Sequence, residues 1–329
     1  MDTAAVATRP FARVPAATPA AKSISDMIQP PKMSPAGLVS AGIATVRSDS
    51  SPRGPRLLLG ISVSFCYDRA IMSEILLRHD SDDIATLTLN RPAARNALSM
   101  GLMEALDGEL AAIADDRSVK VVIIAANGPT FCAGHDLREI RATPTRTAYE
   151  QVFALCSRLM QRIVRLPKPV IAQVHGVATA AGCQLVASAD LAVAADTARF
   201  ATPGVDIGLF CSTPMVALSR AVGRKAAMEM LLTGDMMPAA RARELGLVNR
   251  LVPEGELRDA TLALAVQIAA KSPLTVAIGK EAFYRQAEMD LSQAYDYASE
   301  VMTRNMLARD AEEGIDAFLA KRQPQWTGT

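Results

Sequence analysis

Two short segments hold residue types at spacings that could do chemistry. The first is Phe131-Cys132-Ala133-Gly134-His135-Asp136-Leu137. The second is His175-Gly176-Val177-Ala178-Thr179-Ala180-Ala181-Gly182-Cys183-Gln184-Leu185. Each follows a stretch patterned as a strand, is rich in small residues and leads into a helical pattern. Small side chains let a ligand approach the backbone closely. A helix start leaves N–H groups without partners and carries a partial positive charge. Two such N–H groups converging on one carbonyl oxygen make an oxyanion hole. From spacing alone, a glycine-containing strand–helix turn is more often a tight packing device. Neither segment fits GxGxxG or the P-loop pattern, which disfavours dinucleotide and NTP binding.

The other reactive types are dispersed. Cys66, Cys132, Cys156, Cys183 and Cys211 form no CxxC pair, and His79, His135 and His175 lack metal-ligand spacing. Buried, reduced thiols and no metal are the plain reading. Lys+Arg 35 against Asp+Glu 34 leaves a net charge of +1, and aromatic residues are 4% of the chain. Clustered cations and base-stacking platforms are therefore not expected, which disfavours nucleic-acid binding. The longest apolar run, Leu57 to Tyr67, is about half the roughly 20 residues needed to span a bilayer. A chain of 329 residues, 50% of them hydrophobic, suits one large globular domain or two small ones.

The elements that must position the two segments alternate between strand and helix. Ile84 to Leu89 alternates apolar and polar residues, as a half-buried strand does, and Asn90-Arg91-Pro92 ends it. Ser99 can cap a helix whose apolar face is Leu102, Leu106, Leu110 and Ile113. Val121 to Ala125, Val170 to Val174 and Leu191 to Ala194 are short continuous apolar runs, which suit strands buried on both faces. A helical stretch runs from about Tyr149 to Arg165. Helical patterns then dominate at 214–222, 225–233, 238–246, 256–271, 273–286 and 290–319. This order predicts an α/β core followed by a helical tail. Residues 1–71 differ in kind, being rich in Ala, Pro and Ser. Between Thr3 and Ser25 they hold Arg9, Arg13 and Lys22 but no acid. They read either as a mitochondrial-type transit segment or as a disordered extension before a true start at Met72, with no stable fold in either case.

Four motifs taken together resemble the crotonase (enoyl-CoA hydratase/isomerase) superfamily. They are Thr88-Leu89-Asn90-Arg91-Pro92 with Asn96-Ala97-Leu98; the Phe131 to Leu137 segment; His175-Gly176 with Ala181-Gly182-Cys183-Gln184-Leu185 and Ala189-Asp190-Leu191; and Phe200-Ala201-Thr202-Pro203. Their order and spacing match over residues 73 to 329. The resemblance implies a spiral of ββα units over residues 72–262 and a helical trimerisation region over 263–329, giving trimers or dimers of trimers. It implies acyl-CoA substrates, no cofactor beyond their coenzyme A, and a place in fatty acyl-CoA metabolism. The compartment would be cytoplasmic, or the mitochondrial matrix if residues 1–71 act as a transit peptide. The thioester oxygen would sit on the N–H groups of His135 and Ala181. Asn96, Ala97, Ala133, Gly134, Asp136, Leu137, Gly182 and Gln184 would line the substrate site. Lys280 falls where relatives contact the CoA nucleotide; a solvated helix lysine is the alternative.

The same resemblance exposes two departures. Hydratases of the family use paired glutamates to add water across C=C, and their positions here hold Gln184 and Gly204. An amide is no general base near neutral pH and glycine offers nothing, while such help is worth roughly 10² to 10⁴ in rate per group. Asp206 is a possible replacement acid, or an ordinary helix-start acid. The His135 imidazole is another, unless only its backbone matters. Cys211 and Ser212 lie near the expected pocket edge without a visible activating base, and Cys183 reads as a small buried residue. The acids of Arg309 to Gly314 read as an exposed helix break, and Phe318 to Trp326 as packing. Three readings follow: an enzyme that stabilises an oxyanion without paired-glutamate hydration, a non-catalytic acyl-CoA binder, and a hydratase using other residues. Gln184→Glu with Gly204→Glu would be the forward test.

Overall fold

The computed structural model describes residues 74–329. The expectations for residues 1–71 lie outside them. β1 (Leu76–Ser81), which the sequence did not reveal, and β2 (Ile84–Leu89) form an antiparallel hairpin. Its two-residue turn, Asp82 and Asp83, has φ of 53° and 63°, the pair of positive values that a tight hairpin of matching twist requires. β2 starts a run of parallel strands in the order β2, β3 (Val121–Ala126), β5 (Val170–Val174), β7 (Leu191–Ala195) and β10 (Arg250–Val252).

The central strands are apolar throughout because both faces are covered. Val122, Ile124, Ala172 and Ala194 face one core beneath α1 (Met100–Asp115) and α3 (Arg146–Arg165). Val121, Ile123, Ile171 and Val193 face a second core under α8 (Leu257–Ala269). The Ser99 hydroxyl accepts the Leu102 N–H at 3.2 Å, and Leu102, Leu106, Leu110 and Ile113 are fully buried as expected.

A second sheet comprises β4 (Thr130–Cys132), β6 (Val177–Thr179), β8 (Arg199–Ala201) and β9 (Met237–Pro238). β4, β6 and β8 each follow a strand of the large sheet after a short turn. They then run into α2 (Leu137–Ala142), α4 (Ala181–Ser188) and a 3-10 turn at Pro203–Ile207. This long strand, short strand, helix repeat delivers both glycine-containing motifs to the ends of the second sheet.

The C-terminal part comprises α5 (Pro214–Ala221), α6 (Arg224–Thr233), α7 (Ala239–Glu244), α8, α9 (Pro273–Gln286), α10 (Leu291–Met306) and α11 (Arg309–Leu319). The helix expected over 290–319 is thus two helices, broken where Ala308 turns extended (φ −74°, ψ 146°). The acids at the break are not all exposed: Glu312 is, but Asp310 is not. Asp310 is 1% exposed and accepts hydrogen bonds from Ser272 Oγ (2.6 Å), Thr327 N–H (2.7 Å) and Thr327 Oγ1 (2.8 Å). Trp326 does pack, donating from Nε1 to Ala270 O at 2.9 Å, but Phe318 and Leu319 are exposed. Among the described residues no single helix is long and apolar enough to cross a membrane.

Candidate active site

The turns that end β4 and β6 abut. A Cβ placed on Gly134 (φ +93°) would lie 2.9 Å from Ala180 Cβ, 3.1 Å from Thr179 O and 3.3 Å from Ala181 N. One placed on Gly182 would lie 2.1 Å from Cys132 O. Both positions therefore exclude any side chain, and the glycines bring the two motifs into backbone contact. Ala180 bends the chain from β6 into α4 at φ 49°, ψ −118°, a conformation costing an alanine about 1–3 kcal/mol.

The peptide groups around His135 are fixed by a bridge to Leu98. Leu98 N–H donates to Gly134 O (2.7 Å) and Asp136 N–H donates to Leu98 O (3.1 Å). Gly134 N–H reaches the Cys132 sulfur. Ala180 N–H donates to Ala201 O (2.9 Å), and Gln184 N–H to Ala180 O (3.0 Å). The amides of His135 and Ala181 have no hydrogen-bond acceptor among the described residues. Ala181 itself is fully buried.

Several of the residues expected at the substrate site also carry structural hydrogen bonds. Asn96, at φ 52°, is fully buried and has every side-chain group engaged. Its Oδ1 accepts Arg91 N–H (2.8 Å), and its Nδ2 donates to Asn127 O (2.8 Å) and Thr130 O (2.7 Å). It positions the loop before β4 and has no group left for a ligand. The Ala97 carbonyl accepts the Arg91 guanidinium and the Ser99 N–H, so it too is committed. Asp136 caps α2 through Arg138 N–H (3.2 Å) and Glu139 N–H (3.4 Å) and pairs with Arg91 at 3.0 Å. Burial raises its pKa, but Arg91 and the cap bonds outweigh burial and hold it below the ordinary value. Ala133 donates its N–H to Arg95 O (3.1 Å), and Leu137 is exposed.

Lys280 is neither a free nucleotide contact nor a solvated lysine. Its side chain is 7% exposed and donates to Ile163 O (2.9 Å), Lys168 O (3.0 Å) and Asp190 Oδ2 (2.6 Å). These three acceptors take all the donors an ammonium has. Asp190 also accepts Val170 N–H (2.7 Å) and Tyr284 Oη (2.9 Å). Burial raises Asp190 and lowers Lys280. The sequence pointed to Asp190 only as part of a motif, and nothing in the spacing tied it to position 280.

The vacated glutamate positions differ from one another. Gln184 is buried, and its Oε1 accepts Cys156 Sγ at 3.8 Å. Gly204 is tightly enclosed: a Cβ there would lie 2.6 Å from Leu209 O and 2.8 Å from Cys211 Sγ. Gly204→Glu is therefore no test of a latent hydratase, because the backbone at Leu209 stands where the side chain would begin. Asp206 is exposed, with both carboxylate oxygens beside Gly234 at the end of α6 and no bond to either motif. Ser212 is exposed and hydrogen-bonds only the nearby Phe210 O (3.3 Å). Burial pushes the thiols of Cys132, Cys156 and Cys183 up to about 12 and raises Cys211. Among the described residues no thiol is an activated nucleophile.

The His135 ring packs edge-on against Phe153 of α3, with centroids 5.6 Å apart. Burial lowers its pKa to about 4, so the imidazole is neutral at physiological pH. Its Nε2 is buried without a partner, as is the Thr202 hydroxyl at the end of β8. Thr202 was named in the sequence only as part of a motif.

Two abutting strand–helix turns with paired unengaged amides, set in repeated ββα units, define a class. The chain belongs to the enoyl-CoA hydratase/isomerase family, whose model matches residues 79–329. It is 49% identical over 246 residues to human enoyl-CoA hydratase domain-containing protein 3, mitochondrial, a match covering 75% of this chain and 81% of that one. Among solved structures, an enoyl-CoA hydratase from Mycobacterium smegmatis matches with a TM-score of 0.75 and 54% identity, over 77% of this chain and 98% of that one. Human enoyl Coenzyme A hydratase domain-containing protein 3 matches with a TM-score of 0.75 and 48% identity, over 77% and 100%. The fold is the crotonase fold, with a helical C-terminal region.

Proposed function

We propose that the chain is an enzyme acting on acyl-CoA thioesters, whose thioester oxygen rests on the amides of His135 and Ala181. One observation carries this reading. The amides of Gly134, Asp136, Ala180 and Gln184 have acceptors, while those of His135 and Ala181, like the helix-start amides of Leu137, Gly182 and Cys183, have none among the described residues, and His135 and Ala181 stand on the two turns that abut. An oxygen that gains charge in an enolate or tetrahedral intermediate would fill that gap, and each such donor is worth about 3–4 kcal/mol. Thioester hydrolysis, isomerisation and decarboxylation all pass through such an oxygen. Hydration by paired carboxylates does not fit, since Gln184 and an enclosed Gly204 occupy those places.

A non-catalytic acyl-CoA binder is the second reading. It is favoured by the shortage of strong bases: burial lowers the imidazole to about 4, which makes it a weak proton acceptor, and pushes three buried thiols up to about 12. Self-association is supported by α9, α10 and α11, which expose the large apolar side chains Phe283, Leu291, Tyr295, Met302 and Phe318; exposed apolar surface of this kind marks contact sites. The human relative is a mitochondrial protein by name, which supports the matrix as the compartment. Purified protein assayed with enoyl-, malonyl- and simple acyl-CoAs, alongside calorimetric binding, tests these readings. We expect binding of thioesters and turnover without crotonyl-CoA hydration. Binding without turnover would select the second reading; crotonyl-CoA hydration at the rate of family hydratases would refute both.

A further inference from the structure

The exposed face of α3 is one continuous stripe, because residues three and four apart stack along a helix. Its first half, with Tyr149 and Phe153, opens a surface groove of about 700 Å³. Its second half lines a cleft of about 330 Å³ with Arg158, Arg162 and Arg165, and Ala154 borders both. Phe153 is also the residue that touches the His135 ring. The groove, lined by Tyr149, Phe153 and Ala154 with Arg146, Glu150 and Ser157, therefore begins beside the His135 ring and adjoins a cleft among guanidinium groups. From Phe153 to Arg162 the helix rises about 13 Å.

The arginines are held but not neutralised. Asp107 of α1, largely buried, accepts Arg158 Nε at 3.3 Å and Arg162 through Nε and Nη2. That is one carboxylate against three cations. Arg158 keeps both terminal nitrogens unengaged, and Arg165 has no partner among the described residues. Guanidinium groups bind carboxylates in a two-pronged geometry that ammonium groups cannot match. A plain alkyl chain would cover Tyr149, Phe153 and Ala154 and leave the cations of the cleft unanswered.

Resting on the acyl-CoA reading above, we infer that α3 carries the acyl chain and that its arginine cleft selects thioesters whose chain ends in a second carboxylate. The substrate class is the CoA thioester of a dicarboxylic acid long enough to reach Arg158 and Arg165. A short dicarboxylic chain stops before the cleft and gains nothing from it.

Titration calorimetry with lauroyl-CoA and dodecanedioyl-CoA tests this, since the two differ only at the chain end. Each is measured on the wild type and on Arg158→Gln/Arg165→Gln; Arg162 is kept because Asp107 depends on it. A partly exposed ion pair gives up to about fivefold in affinity, and two acting together about tenfold or more, so the wild type should prefer the diacid by that ratio. The preference should vanish in the variant, with lauroyl-CoA affinity unchanged. Equal affinities in the wild type, or a preference that survives both substitutions, overturns the inference. So does a variant with altered oligomer size and unaltered preference, which would make this face a subunit contact. Acetyl-CoA binding while neither long-chain ester binds overturns the α3 path alone. Failure of all three thioesters to bind overturns the acyl-CoA reading with it.

Discussion

Replacing Lys280 with Met removes the cation that α9 inserts between the end of α3 and Asp190. The methionine retains the apolar stem but cannot donate to Ile163 O, Lys168 O or Asp190. The groups left behind are enclosed, with the Asp190 side chain only 15% exposed. Removing one partner of a buried pair costs about 3–5 kcal/mol. At about 2–4 °C per kcal/mol for a chain of this size, Tm should fall by roughly 10 °C in scanning calorimetry at pH 7. The pH dependence has a definite sign. Burial already holds Asp190 above the ordinary carboxylate range, and losing Lys280 raises it further. A carboxyl that is harder to ionise folded than unfolded contributes stability at low pH, and this is lost as pH rises through its folded value. The variant's deficit should therefore shrink as pH is lowered from neutral, and Lys280→Met/Asp190→Asn should recover part of the loss at pH 7. A Tm loss below about 2 °C, accompanied by weaker CoA binding, would show Lys280 to be available to a nucleotide and would refute the buried lock.

Gly182→Ala places a methyl 2.1 Å from Cys132 O; denaturant unfolding should show a loss above about 3 kcal/mol, and wild-type stability would mean the two motifs do not pack as described. His135 has its pKa lowered by burial from 6.5 to about 4, so the folded state resists a proton that the unfolded state accepts. Its contribution to stability is present above pH 6.5 and is lost as pH falls from there toward 4. His135→Gln should flatten the Tm-versus-pH curve in that window, and an unaltered slope would show the ring to be solvated.

Much of the fold was legible because long elements carry a clear period. The Ser99-capped helix, the buried strands β3, β5 and β7, and the helices from α5 to α9 follow from apolar spacing alone. The second sheet was not legible: β4, β6 and β8 have three residues each, too few to display any period. β1 was missed because four of its six residues, Arg78, His79, Asp80 and Ser81, are polar. At the site, motif order located the abutting turns, since glycine at 134 and 182 has a backbone reason. Side-chain roles were harder. Asn96 and Lys280 look like ligand contacts in sequence because their partners, Thr130 O and Asp190, are distant along the chain and meet them only once the sheets form. The enclosure of Gly204 depends on a loop that doubles back from Leu209 to Cys211, which no local pattern announces.

That enclosure leaves position 204 open to glycine alone. A single replacement there cannot introduce a carboxylate, because Leu209 O and Cys211 Sγ already occupy the space where a side chain would begin. A variant carrying one would first need the backbone of residues 209–211 rebuilt, so engineering at this position starts with the loop and not with the residue it encloses.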